Sequence, residues 1–305
     1  MKKAIYKLVI CLVLAFVLIC SASALNPVDP EKPASLTIQY HSGEERFEGL
    51  TVKTYRVANV CEDGTFELCG AFKDYPISIY GITSQAEWKT VAYALDSFIA
   101  GDSIAPDLTA ETDADGKVSF RNITAGMYLT LGVRVENEGV VTIFETFLTV
   151  VPQMTDDEHN YDVTAYPKRT VYQPTPDEVE YEVVKQWKDG GNAEMRPEYI
   201  EIDILCDGEK VTSEKLSADN NWSYSWSAPD NGAKWQAVER NVPEGYTVTV
   251  TEKGSTIVVT NTYENNVTPP PQTGDTLILE RYILPMIITG AFIVVLALWR
   301  RREEA

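Results

Sequence analysis

Histidine is almost missing from this chain of 305 residues, which has two, His41 and His159. Neither has near it the partners of a metal centre or a hydrolase dyad, and no glycine-rich phosphate loop follows a strand-like run. These absences argue against a turnover enzyme and against a bound cofactor or metal. Cysteine is nearly as scarce. Of the five, Cys11 and Cys20 fall in an N-terminal apolar run, leaving Cys61, Cys69 and Cys206. An odd number excludes a scaffold built on disulfides. Cys206 shares strand parity with Ile200, Ile202 and Ile204 and is expected to be buried. Cys61 and Cys69 flank Asp63-Gly64, a hairpin signal, and a two-residue turn there sets Cys61 opposite Phe66; whether the two thiols are bridged stays open. Positive charge is short as well, with 26 Lys and Arg against 45 Asp and Glu and a net charge of −19. A surface this acidic repels phosphate backbones, so nucleic acid is not an expected partner.

What the chain does have is concentrated first at its ends. Lys2, Lys3 and Lys7 lead into an apolar run over 8–20, and Ala22-Ser23-Ala24 offers small residues for cleavage. Residues 1–24 therefore read as a signal peptide. Ile19 before Cys20 is bulky where lipoprotein signals carry a small residue, which argues against a lipid anchor. At the other end, Pro270-Pro271-Gln272-Thr273-Gly274-Asp275 precedes an apolar run over 282–299 and then Arg300-Arg301-Arg302. As a helix that run would span roughly 27 Å, about a bilayer core, with the arginines held at the cytoplasmic face. The two ends carry more basic than acidic residues, so the exported part is more acidic still. It is long enough for two domains.

Between the ends the chain reads as short period-two runs with turn punctuation, at 36–40, 50–60, 117–123, 127–133 and 142–151, the pattern of an antiparallel sandwich. One helix interrupts them. Ser84-Gln85-Ala86-Glu87 has the form of a capping box, Trp88, Val91, Ala92, Leu95, Phe98 and Ile99 recur at helical spacing, and Gly101 can close the end. That stripe is expected to be core packing. The fold class is all-β: a sandwich with an inserted helix over 34–168, a linker over 169–177 holding Pro174-Thr175-Pro176, a second sandwich over 178–263, and an extended proline-bearing spacer over 264–272. In the second sandwich, Tyr181, Val183, Lys185 and Trp187 share one face, Glu239 follows Trp235 and Ala237, and Asn261 follows Ile257 and Val259. Burying an unpaired lysine or glutamate is costly, so either these faces are misread or the groups react.

Several of these segments resemble known families. Val184-Lys185-Gln186-Trp187, Asn220-Asn221-Trp222-Ser223-Tyr224, the run Val238-Glu239-Arg240-Asn241-Val242-Pro243-Glu244-Gly245-Tyr246, and Thr260-Asn261-Thr262-Tyr263 together resemble a Cna B-type domain. The resemblance implies an Ig-like sandwich in which Lys185 and Asn261 join in an intramolecular isopeptide bond, with Glu239 as proton shuttle. Asp113-Ala114-Asp115-Gly116-Lys117 through Thr124-Ala125-Gly126-Met127-Tyr128-Leu129 resembles another pilin-type Cna B segment. There Gly132 stands near the expected glutamate and 34–41 holds no lysine, so no such bond is expected in the first domain.

The C-terminal order resembles the cell-wall sorting signal of Gram-positive surface proteins, usually Leu-Pro-x-Thr-Gly, with Pro270 where leucine is usual, and it extends over 270–305. It implies that a sortase cleaves between Thr273 and Gly274 and passes the Thr273 carbonyl to an amine. Val163, Tyr166, Pro167 and Lys168 are similar to the motif that supplies that amine in sortase-assembled pili, Trp-x-x-x-Val-x-Val-Tyr-Pro-Lys, with His159 and Ala165 replacing its tryptophan and second valine. The implied partners are a sortase, peptidoglycan and other pilin copies. Two alternatives stay open: a basal or minor pilin, and a wall-anchored adhesin that binds a host matrix or glycan ligand with the Cna B-type domain as its stalk.

Overall fold

A computed structural model of the chain describes residues 27–154, 158–175 and 177–263, all within one unit. The expected signal peptide, spacer, sorting signal and apolar span at 282–299 lie outside the described residues. Among the described residues no helix is long and apolar enough to cross a membrane.

The described chain is mostly strand. The first half contains β1 (Ala34–Gln39), β2 (His41–Ser42), β3 (Glu45–Arg46), β4 (Thr51–Val60), β5 (Phe66–Leu68), then helix α1 (Gln85–Asp102), and β6 (Leu108–Glu111), β7 (Lys117–Ile123), β8 (Gly126–Thr130), β9 (Val133–Asn137), β10 (Val140–Phe144), β11 (Phe147–Val151), β12 (Asp162–Ala165) and β13 (Arg169–Tyr172). The second half contains β14 (Glu178–Lys188), β15 (Tyr199–Cys206), β16 (Glu209–Ser217), β17 (Ser223–Pro229), β18 (Trp235–Glu239), β19 (Tyr246–Lys253) and β20 (Thr256–Tyr263).

In the first half β12-β1-β7 form one sheet and β11-β8-β4-β5 another, with β6 also paired to β4. Leu36, Ile38, Phe120 and Val163 fill the space between them. A third sheet, β13-β10-β9, includes residues expected as linker: Arg169–Tyr172 pair with β10. The prolines that argued for a linker begin only after Tyr172, and β13 is an outer strand. The single run expected over 142–151 is two strands. It breaks at Thr146, whose hydroxyl turns to donate to Asp96 and accepts from the Gly132 amide. The run expected over 127–133 also divides, and at Gly132 a Cβ would stand 2.5 Å from the Phe144 carbonyl, so the backbone there approaches too closely for any side chain.

The second half is two facing sheets, β17-β14-β20-β19 and β16-β15-β18. β14 and β20, its first and last strands, run parallel side by side, with Lys185 level with Val259 and Trp187 with Asn261. The inward alternation read from the sequence holds here: Val183, Lys185, Val259 and Asn261 are all buried.

The capping box at Ser84 and Glu87 forms, each side chain bonding the other's backbone. Gly101 does not close the helix; Ser103 does, in the left-handed conformation. Gly101 instead sits where the helix meets the second half, and a Cβ there would come within 3.1 Å of a Val238 methyl. Val91, Ala92, Ala94, Leu95, Ser97, Phe98 and Ile99 are all buried, more of the circumference than one stripe needs, because α1 packs on both halves at once.

Cys61, Cys69 and Cys206 are free thiols. The β4–β5 hairpin sets Val60, not Cys61, opposite Phe66, and its loop is closed by Cys61 and Thr65. Cys206 is half-buried rather than enclosed, since it ends β15 at the sandwich rim.

Candidate functional site

Three strands from two facing sheets bring the polar trio of the second half together. β14 supplies Lys185, β18 supplies Glu239 and β20 supplies Asn261, each at an inward position set by strand parity. The side chains of Lys185 and Glu239 are wholly enclosed, and Asn261 is 0% exposed. Lys185 Nζ lies 3.3 Å from Glu239 Oε2, an ion-pair distance whose alignment does not make a hydrogen bond. Asn261 Nδ2 donates to Glu239 Oε1 at 2.8 Å, while Asn261 Oδ1 is buried without a partner.

Apart from the Gln186 carbonyl, to which Lys185 Nζ donates at 3.4 Å, the surroundings are hydrocarbon and aromatic. Lys185 Nζ stands 4.2 Å from the centre of the Trp187 ring, which meets Trp222 and Tyr246 edge-on. Val248, Val250 and Val259 complete the wall around Glu239. Burial pushes the Lys185 amine down to about 8, an effect that outweighs the opposing pull of Glu239. Burial also raises the Glu239 carboxyl, against Lys185 and Asn261, which both favour its ionised form. The two shifts run toward the same state, a neutral amine beside a neutral acid. In that state the acid can donate, and the amide end facing it would be oxygen after a half-turn of Asn261, whose two ends are nearly the same size.

The site can therefore perform an amide exchange. In such an exchange neutral Lys185 Nζ would attack Asn261 Cγ as Glu239 donates to Oδ1; the Cγ–Nδ2 bond would break, one amine proton would pass through the carboxylate to Nδ2, the Oδ1 proton would return to Glu239, and ammonia would leave.

Lys168 is elsewhere. It lies exposed between β12 and β13, its carbonyl accepting from the Glu145 amide at 2.8 Å, next to Tyr166, which is 63% exposed and meets His41 edge-on. Thr273 and Gly274 lie outside the described residues.

Sequence reasoning missed a second buried polar group. Asp96 of α1, 3% exposed, accepts from Thr146 in the first half and from Lys234 and Gln236 in the second, the last at 3.1 Å. One helical turn and a half further on, Asp102 pairs with Arg240, which also holds Asp203 and the Gly101 carbonyl. The available signal was Asp96 itself, a carboxylate directly after Leu95 on the apolar side of a helix.

Among known families, residues 181–262 match the Cna protein B-type domain. A collagen adhesin of Staphylococcus aureus is 35% identical over 103 residues, 31% of this chain and 9% of the adhesin, so the chain spans a small part of that relative's length. Among solved structures, a single B repeat unit of the collagen binding surface protein of Staphylococcus aureus is similar at a TM-score of 0.27 and 16% identity, covering 76% of this chain and 98% of that one. The major pilin SpaD of Corynebacterium diphtheriae gives 0.29 and 16% over 77% and 65% of the two chains. The pilus backbone RrgB of Streptococcus pneumoniae gives 0.26 and 14% over 79% of each. The family match is local and contains the site: within the matched residues 181–262, Lys185, Glu239 and Asn261 meet.

Proposed function

We propose that this chain is a structural subunit of a sortase-assembled covalent pilus, exported through a membrane-spanning precursor and fixed to peptidoglycan. The observation that carries the reading is the enclosed contact of Lys185, Glu239 and Asn261 between the first and last strands of the Cna B-type domain. A bond there closes a loop of about 77 residues, worth on the order of 4 kcal/mol if disulfide loop entropy is a fair analogue. Its larger use is mechanical. Tying β14 to β20 stops tension from peeling the terminal strands apart, which a load-bearing fibre needs and a freely diffusing protein does not. The chain supplies groups to an external sortase: Thr273 as acyl donor at the Thr273–Gly274 bond, and exposed Lys168 as acceptor amine. It holds no role as a turnover enzyme in this reading.

A second reading, a wall-anchored adhesin with this domain as its stalk, is favoured by the local identity to a collagen adhesin. A basal or minor pilin would use the same groups without repeating. Wall extracts of cells making the chain, boiled in detergent, distinguish these. A ladder of covalent multimers, with each subunit lighter than its sequence by one ammonia for the internal bond, is the expected result. Monomers alone, together with saturable binding to a matrix protein or glycan, would replace the pilus by the adhesin.

A further inference from the structure

β18 and β19 are each the outermost strand of their sheet, so the side of the second sandwich between them is bounded by two unpaired edges. Glu239 lies on one of those strands. What closes this side comes from the first half. Ala94, Ser97 and Phe98 of α1 line, with Glu239, Val248 and Val259, a void of about 10 Å³, at the lower limit of what one water needs. The three helix residues are 1%, 4% and 7% exposed. The segment before the helix extends the closure, because the Val248 amide on β19 donates to the Pro76 carbonyl at 2.7 Å. The helix is held there at two points, Asp96 to Lys234 and Gln236, and Asp102 to Arg240.

We infer that α1 is a working part of the Lys185–Glu239–Asn261 site: Ala94, Ser97 and Phe98 are positioning residues that shut it from water, and the bond forms only once the two halves have docked. This inference rests on the bond proposed above. Its physical reason is the state each reactant must reach. A carboxyl in contact with water ionises and an amine in contact with water stays protonated, and in those forms neither attack nor proton donation proceeds. Glu239 is the charged group facing Lys185, and α1 adds no titratable side chain to the void, so the helix acts by exclusion rather than by charge. Because the first half precedes the second in the chain, the cover is available when β18 and β19 form, and the cross-link then records correct docking.

The test uses the full exported chain, newly synthesised, with the appearance of the peptide joining Lys185 to Asn261 followed by mass. Phe98→Ala is expected to slow cross-linking about tenfold or more, with Phe98→Leu restoring most of the rate. The midpoint of the pH–rate profile is expected to rise from about 8 toward that of an ordinary lysine in Phe98→Ala, which loss of packing alone would not produce. If Phe98→Ala does not fold, Asp96→Asn with Asp102→Asn, which keeps every apolar contact, decides by the same two readouts. Wild-type rate and wild-type pH profile in a folded variant would overturn the inference while leaving the bond intact. A wild-type chain that never loses ammonia would instead remove the bond, and the inference with it.

Discussion

The two halves solve the same structural problem with different chemistry. Each pairs its first strand in parallel with a late one, β1 with β12 and β14 with β20. In the first half the inward positions of that pair are Leu36, Ile38 and Val163, all enclosed, and the strands are held by hydrocarbon, by backbone bonds and, on the outer face, by the Ser35 hydroxyl donating to Asp162 at 2.7 Å. In the second half the corresponding strands carry Lys185 and Asn261 inward, with Glu239 facing them. Two potential charges in a core are a poor source of stability, since desolvation offsets most of their attraction. The arrangement makes sense as the starting state of a covalent bond, whose product is a neutral amide. The first half's own buried carboxylate, Asp96, points the other way, out of its sandwich and onto Lys234 and Gln236 of its neighbour. The inward face of one strand pair is hydrocarbon, that of the other carries the proposed reactants, and α1 packs on both halves.

The comparison breaks most sharply at Glu239. Glu239→Ala leaves Lys185 enclosed without its counter-group and removes the proton shuttle. The expected outcome is full sequence mass, together with a loss of about 3–5 kcal/mol for a buried lysine left uncompensated beyond that of the missing cross-link. Leu36→Ala in the first half should cost a similar 2–5 kcal/mol by leaving a cavity, yet the mass deficit of one ammonia should persist. Chemical denaturation and intact mass on both variants check this. An unchanged mass deficit in Glu239→Ala would remove Glu239 from the chemistry.

The next effect tests whether the halves are separable at all. Asp96→Ala strands the Gln236 amide and the Thr146 hydroxyl in the interface, at about 2 kcal/mol. Calorimetry should show either a lower single transition or two transitions where the parent has one. An unaltered melting curve would mean that the halves are coupled by apolar contact alone.

This coupling is what the sequence concealed. Strand parity was enough to turn Lys185, Glu239 and Asn261 inward, because period two is a local property and each of these strands is flanked by unambiguous apolar neighbours. The capping box was legible for the same reason. The split of the 142–151 run was not, because Thr146 leaves the ladder for Asp96, a partner fifty residues away. Nor was the docking of α1. Small residues such as Ala94 and Ser97 look like ordinary helix formers until a second surface is known to lie against them, and the stripe of Trp88, Val91 and Leu95 fits a one-sided helix equally well. Arg169–Tyr172 looked like linker because prolines follow it closely, whereas an outer strand tolerates that neighbourhood.

A further effect appears on titration. Asn261→Ala removes the electrophile and leaves Lys185 unlinked, with its folded value down near 8 against an ordinary 10.5. Between those values the unfolded chain holds more protons than the folded one, so stability should rise with pH across that window, by about 3 kcal/mol in all. Below about 8 both states are protonated and the penalty is complete. Glu239, raised by burial, has the opposite sign: its contribution is present in acid and is lost as pH rises through its folded value. If the parent's amine is tied up in the proposed amide, the parent should lack the alkaline rise. Denaturation midpoints of the two proteins at about pH 7, 8.5 and 10 make the comparison, and parallel profiles would show that the parent amine is also free.

The smallest structural effect carries the sharpest functional difference. Lys168 is exposed on the short turn between β12 and β13, so Lys168→Arg should change stability by less than about 0.5 kcal/mol. Arginine keeps the charge but stays protonated at any physiological pH, and so cannot act as the nucleophile that opens an acyl-enzyme. Two lysines of this chain are thereby separated by environment. Lys185 is driven toward the neutral amine by enclosure, whereas Lys168 is exposed and, in the proposed reading, would depend on a sortase to bring an activated carbonyl to it. The Lys168→Arg chain should fold, lose one ammonia internally and reach the wall through Thr273, yet give no ladder of multimers in detergent. A ladder that persists unchanged would make Lys168 an ordinary surface residue and move the linking amine elsewhere. If the parent forms no ladder beside a pilus sortase, the Cna B-type domain is better read as the stalk of an adhesin than as a link in a fibre.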